Sequence, residues 1–215
     1  MNIDTFVFIM ELIGTIAFAS AGAMIAVEKE MDVLGVCVLG MTTAVGGGMI
    51  RDLILGVNPP VMFQSPVYAL VAIAFSLVVF VVAYYNHKLQ ESKFYIAYDR
   101  LMLICDSLGL AIFTVVGVNA ALNMEYETTT FLQIFVGVLT GVGGGVLRDV
   151  MAGNTPYIFV RHVYASASII GAVVTVIMVD FCGELIGMVT GAVIVFIIRI
   201  LAAYFKWNLP RIRKD

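Results

Sequence analysis

Residues 46–63 read GGGMIRDLILGVNPPVMF, and residues 143–159 read GGGVLRDVMAGNTPYIF. Each copy runs three glycines into an Arg-Asp pair and ends in a glycine- and proline-containing turn. Both sit at the end of an apolar stretch long enough to cross a bilayer. Charge and helix-weakening residues are costly there, since an isolated charge at the bilayer centre costs about 2.5–3.5 kcal/mol on insertion scales. A duplicated cost points to function, and the remaining sequence narrows which function.

The chain of 215 residues is 61% hydrophobic and 13% charged, with a mean hydropathy of +1.03. Soluble domains are about half apolar and a quarter charged, so the composition defines an all-α integral membrane protein. Cys37, Cys105 and Cys182 lie in apolar stretches without metal or disulfide spacing and read as small buried residues. His87 and His162 lack metal spacing as well. A net charge of −3 with no basic run outside the C-terminal tail gives no reason to expect nucleic acid as a partner. The first apolar stretch lacks a basic flank and exceeds a signal-peptide core, so it reads as a spanning helix.

A span needs about 20 apolar residues, and seven fit, near 3–27, 33–55, 66–86, 100–121, 131–152, 162–181 and 184–205. Lys29, Lys88, Lys93, Arg100, Arg148, Arg161, Lys206, Arg211, Arg213 and Lys214 fall on one side and Arg51 alone on the other. The positive-inside rule then places the N-terminus outside and the C-terminus in the cytoplasm of a cell-membrane protein. Arg199 lies inside the last span and is expected to snorkel toward the headgroups. Lys206, Trp207 and the cations after them read as an interfacial anchor.

The repeat extends beyond the glycine phrase. ELIGTIAFASAGAMIA at 11–26 aligns with DSLGLAIFTVVGVNAA at 106–121, matching Gly14 to Gly109, Phe18 to Phe113 and Gly22 to Gly117. Each copy holds three spans, and an odd number inverts the second copy across the membrane. The expected organisation is a first three-helix repeat at 1–95, an inverted repeat at 96–182, and a seventh helix with its tail at 183–215.

Glycine lowers helix stability by about 1 kcal/mol relative to alanine in water. The triplets Gly46, Gly47, Gly48 and Gly143, Gly144, Gly145 therefore predict kinked or unwound second and fifth spans bordering a polar path. Packing is the competing reading, because Gly40, Ala44 and Gly48, and Gly137, Gly141 and Gly145, form small-xxx-small seams. Gly183, Gly187 and Gly191 form another in the last span. Residues adjacent on a helix do not face one another, so Arg51 is expected to meet Asp149, and Arg148 to meet Asp52, across the repeats. Glu11 and Asp106 occupy matching positions in the first and fourth spans and are candidates for an ion path. Ser20, Thr42, Thr43, Thr114 and Thr140 are candidates to line it. The turns at 56–60 and 153–156 read as helix stops.

The pattern Ser20-Ala21-Gly22-Ala23, then Thr43-Ala44-x-Gly46-Gly47-Gly48-x-x-Arg51-Asp52 with Pro59-Pro60 and Phe63, resembles the prokaryotic TRIC-like membrane proteins, which carry two glycine-transporter domains. The resemblance covers almost the whole chain. It implies a homotrimer in the lipid bilayer, each protomer with its own pore for a monovalent cation such as potassium, shaped by the glycines of the second and fifth spans. It implies no further cofactor and no metal site. A secondary carrier for glycine or another small solute is the alternative, since inverted repeats with broken helices also build carriers. A scaffold whose glycines only pack is the third reading, and the duplicated intramembrane charges argue against it. Enzymatic activity is not expected: no nucleophile–base pair or metal cluster is visible, and the glycine triplet lacks P-loop spacing.

Overall fold

The computed structural model describes residues 2–85, 92–160 and 163–207, with only the backbone described for 92–97. His87, Lys88, Arg161, His162, Arg211, Arg213 and Lys214, and the side chain of Lys93, lie outside what is described. The described residues form helices α1 (Ile3–Glu28), α2 (Val33–Ile54), α3 (Val61–Gln64), α4 (Val67–Tyr85), α5 (Ser92–Leu122), α6 (Thr130–Met151), α7 (Tyr157–Val160), α8 (Tyr164–Cys182) and α9 (Glu184–Tyr204). All but the four-residue α3 and α7 are long and apolar enough to span a membrane. Seven spanning helices is the number read from the sequence, although the boundary at 95/96 falls inside α5.

These segments are helical because hydrocarbon offers no partners to peptide groups, so each span must satisfy its own. Their starts follow local chemistry. Asp32 accepts from the Gly35 amide at 2.7 Å ahead of α2, and Thr129 accepts from Leu132 at 3.2 Å ahead of α6. The two caps are repeat equivalents. Asp32→Ala is expected to cost about 1 kcal/mol, read as a lowered unfolding midpoint in detergent.

Inversion of the repeats is explicit. Ile3 and Asp4 at the start of α1 share one cavity with Asn119 and Asn123 at the end of α5 and Glu184 at the start of α9. Lys29, after α1, shares another with Asp99 early in α5 and Asn154 after α6. We call these ends the Asp4 face and the Lys29 face.

The core lies on the axis relating the repeats. Phe18 and Phe113 are repeat equivalents whose ring centroids stand 5.4 Å apart. Each ring packs over the glycine of the opposite repeat: a Cβ on Gly109 would strike the Phe18 ring, and one on Gly14 would stand 3.1 Å from Phe113. α2 and α6 cross beside them with backbones nearly touching. A Cβ on Gly47 would overlap the Thr140 carbonyl oxygen, and one on Gly144 the Thr43 carbonyl oxygen. α4 is largely exposed, with Ala72 and Ser76 its buried residues, as suits a helix facing lipid.

The expected unwinding at the triplets is not observed, because both helices run unbroken through 46–48 and 143–145. The cost of glycine in water does not carry over to a segment that cannot trade helix bonds for solvent. The expected seams also divide their work. Gly40 admits Ser76 of α4, while Gly137 and Gly141 admit Val118 and Thr114 of α5. Gly187 and Gly191 seat α9 on Val179 and Thr175 of α8. Cys37 and Cys105 are half-buried and Cys182 is exposed, so the cysteines are less buried than expected.

Candidate functional site

Each repeat folds its Arg-Asp pair into one charge cluster. α2 ends in a left-handed Gly56 (φ 74°), with the Val57 amide donating to the Asp52 carbonyl at 2.8 Å and Gly56 to Leu53 at 3.3 Å. α6 ends the same way: Gly153 has φ 68°, and Asn154 donates to Asp149 at 2.8 Å. This glycine-closed turn satisfies the last carbonyls and brings the following chain back onto the helix end. One carboxylate oxygen of Asp52 then accepts from the Val61 amide at 2.8 Å, fixing α3. Asp149 accepts from Tyr157 at 2.8 Å, fixing α7. The turns are helix stops, and the aspartates hold what comes after them.

The other carboxylate oxygen of each aspartate faces its own arginine. Arg51 Nε donates to Asp52 Oδ1 at 2.8 Å, and Arg148 Nε donates to Asp149 Oδ1 at 2.9 Å. Each arginine then reaches the acid of its own repeat. Arg51 Nη1 stands 3.8 Å from Glu11 Oε1, and Arg148 Nη1 donates to Asp106 Oδ1 at 2.6 Å. The expected pairings of Arg51 with Asp149 and Arg148 with Asp52 are therefore not formed. Inversion carries the two arginines to opposite faces, and adjacent side chains at a helix end curl toward one another over the turn.

Two tyrosines complete the clusters. Tyr68 donates its hydroxyl to Glu11 Oε2, and Tyr164 donates to Asp106 Oδ1 at 3.3 Å. The sequence reading missed both, although each stands a few residues after its turn as a polar group at the start of an apolar span. Arg199 is also placed differently from expectation. It is 2% exposed, with Nη2 3.5 Å from Asp106 Oδ2 and its guanidinium 4.6 Å from the centre of the Tyr164 ring. α9 turns this face to α5 and α8, so Arg199 does not reach for headgroups.

Cavities approach the clusters from both faces. The Asp4-face vestibule is bordered by Asp4, Glu11, Tyr68 and Glu184. Glu11 and Tyr68 also border a small inner cavity of about 40 Å³ that extends past Thr15 and Arg51 to Phe113. From the Lys29 face, one cavity bordered by Lys29, Asp99 and Tyr157 adjoins another reaching Asp106 and Arg199. Phe113 of the aromatic pair ends the first system, and Asp106 and Arg199 end the second. Ser20, Thr42, Thr43, Thr114 and Thr140 border none of these cavities. The hydroxyls of Ser20, Thr43, Thr114 and Thr140 donate to carbonyls four residues back, whereas Thr15 and Thr155 stand on cavity walls. No group of three or more His, Cys, Asp or Glu able to hold a metal occurs among the described residues.

An inverted pair of three-helix repeats plus one helix, with a charge cluster in each repeat and an aromatic pair between them, defines a multi-pass membrane protein of the transport class. The family model described as glycine transporter matches residues 8–84 and 103–180. The chain is 35% identical to the UPF0126 inner membrane protein YadS of Escherichia coli over 97% of both chains. It superposes, at a TM-score of 0.82 and 38% identity, on a structure described as the structural basis for conductance through TRIC cation channels, covering 96% of this chain and 97% of that one. A TRIC trimeric intracellular cation channel orthologue from Rhodobacter sphaeroides gives 0.82 and 31% identity, over 94% of this chain and all of the other. The chain belongs to the UPF0126 family of membrane proteins, built from two glycine-transporter repeats on the TRIC fold. The resemblance drawn from the sequence holds, and both solved neighbours are named as channels rather than enzymes.

Proposed function

We propose that this protein is a passive monovalent-cation channel, with potassium the permeant ion and one path through each protomer of a homotrimer in the cell membrane. The observation carrying this reading is that charged cavities enter from opposite faces, the first reaching Phe113 on the repeat axis and the second reaching Asp106 and Arg199. Asp4, Glu11 and Glu184 give the first vestibule an excess of negative charge, which raises the local cation concentration. The names of the solved neighbours support the same reading, one of them a trimeric channel. On the charge asymmetry of the loops, the Asp4 face is outside and the Lys29 face cytoplasmic. The glycines act by letting α2 and α6 close on one another beside the path.

A carrier for glycine or another small zwitterion is the second reading. The inner cavity favours it by holding Arg51 beside Glu11 and Asp52, charges of both signs on one wall. Recording from purified protein in a planar bilayer under a potassium gradient separates the two. The channel reading expects discrete current steps reversing toward the potassium equilibrium potential. It also expects longer openings in the Phe18→Ala/Phe113→Ala double variant, where the aromatic wall at the end of the first cavity is removed. Silence from folded, inserted protein of both forms, together with saturable glycine uptake into vesicles, would favour the carrier.

A further inference from the structure

The two clusters repeat one design, yet the space beside the glycine triplet is open in the first repeat and filled in the second. In the first repeat the inner cavity lies between Glu11, Thr15, Gly48 and Phe113. A Cβ on Gly48 would meet only Arg51 Nη2, at 3.8 Å. At the mirror position of Gly48 in the second repeat, a Cβ on Gly145 would stand 2.9 Å from the Tyr164 hydroxyl. Tyr164 itself is 3% exposed, whereas its counterpart Tyr68 is half-buried. The Tyr164 ring therefore occupies the space that is a cavity in the other half.

The cause lies outside the repeat. Arg199 comes from the seventh helix, which has no partner copy, and it stacks on the Tyr164 ring while facing Asp106. Glu11 and Tyr68 have no such cation above them: among the described residues, the charged partner of Glu11 is Arg51 alone, at 3.8 Å. Glu11 and Arg51 remain 17% and 8% exposed at their side chains, against 2% and 0% for Asp106 and Arg148. One added guanidinium thus separates a loosely paired, accessible cluster from a sealed one.

We infer that Arg199 is the positioning residue that holds Tyr164 in the second half of the path, closing the space beyond the Lys29-face cavity that reaches Asp106. This deepens the channel reading and rests on it for the identity of the path. Without Arg199, Asp106 keeps Arg148 and Tyr164, the same set that Glu11 has in Arg51 and Tyr68, so the variant retains a fold-compatible cluster.

The test uses a background with Cys37, Cys105 and Cys182 replaced by serine, carrying Leu110→Cys behind the seal. A cationic, membrane-impermeant thiol reagent is applied from the Lys29 side in vesicles, and potassium flux is measured in the same preparation. Arg199→Gln and Arg199→Met are both expected to speed labelling at position 110 by about tenfold or more, the population shift that follows loss of a desolvated cation–π contact. Labelling of Thr15→Cys, the mirror position, from the Asp4 side is expected to stay unchanged, which separates a released seal from general loosening. An unchanged rate at 110 in either folded variant, or equal acceleration at both positions, overturns the inference. Faster labelling at 110 without potassium flux keeps the latch and removes the channel reading. Flux with labelling unaltered does the reverse.

Discussion

Replacing Asp106 by alanine is expected to destabilise this protein more than any other single loss of charge. Asp106 is the shared counter-charge of two buried guanidiniums, with Arg148 Nη1 at 2.6 Å and Arg199 Nη2 at 3.5 Å. Removing one partner of a buried pair costs about 3–5 kcal/mol, because the charge left behind keeps its desolvation penalty. Here two charges lose a partner, although Arg148 retains Asp149 and both arginines retain a tyrosine ring. Total stabilities of about 5–15 kcal/mol leave little margin for such a loss. The matching change in the other repeat, Glu11→Ala, is expected to cost far less. Arg51 is further from Glu11, keeps Asp52 at 2.8 Å and is partly exposed. Thermal unfolding in detergent, followed as loss of the monodisperse peak, compares them directly. Equal midpoints for Asp106→Ala and Glu11→Ala would show that burial of the second cluster does not govern its energetics. Asp106→Asn should fall between, since the amide oxygen still accepts hydrogen bonds but no longer balances charge.

The same contrast marks where the sequence was readable. Seven spans, their repeat and its inversion were legible because apolar length, odd helix count and the Gly14/Phe18 to Gly109/Phe113 alignment are properties of the chain itself. Partner choice was not. Inversion already implies that Arg51 and Arg148 lie at opposite faces, so an Arg51–Asp149 pair would have to cross the bilayer. Local contact within one repeat is the geometry that remains. Arg199 was misjudged because a lone arginine near a helix end suggests lipid, and sequence does not say that α9 presents that face to Asp106. Tyr68 and Tyr164 were overlooked because they stand in aromatic-rich apolar runs and align at a spacing between those of the two flanking matches. The glycine triplets were located, and of the readings open for them close packing is seen and unwinding is not, since a propensity measured in water does not apply where the backbone has no competing solvent.

Those triplets also give the second large effect, which separates close packing from path-shaping within three consecutive residues. Gly47→Ala is expected to cost about 1–3 kcal/mol, the usual range for forcing atoms into a filled space, and more for a larger side chain. Its new Cβ would overlap the Thr140 carbonyl oxygen and stand 3.3 Å from the Gly144 amide nitrogen. Both obstacles are backbone of α6, which cannot rotate aside, so the two helices must separate. Gly144→Ala meets the same barrier at Thr43 and is expected to match it. Gly46→Ala meets Leu147 Cδ1, the far end of a flexible side chain that can move. Gly48→Ala meets only Arg51 Nη2 at 3.8 Å, ordinary van der Waals contact, and is expected to change stability little. Unfolding midpoints are thus expected to fall for positions 47 and 144 and to change little for 46 and 48. A uniform penalty across all three glycines would instead mean that the triplet serves as a flexible joint, since a joint is stiffened by a side chain at any of its positions. The graded pattern ties the phrase to one closest approach of α2 and α6, beside the Phe18–Phe113 pair on the repeat axis.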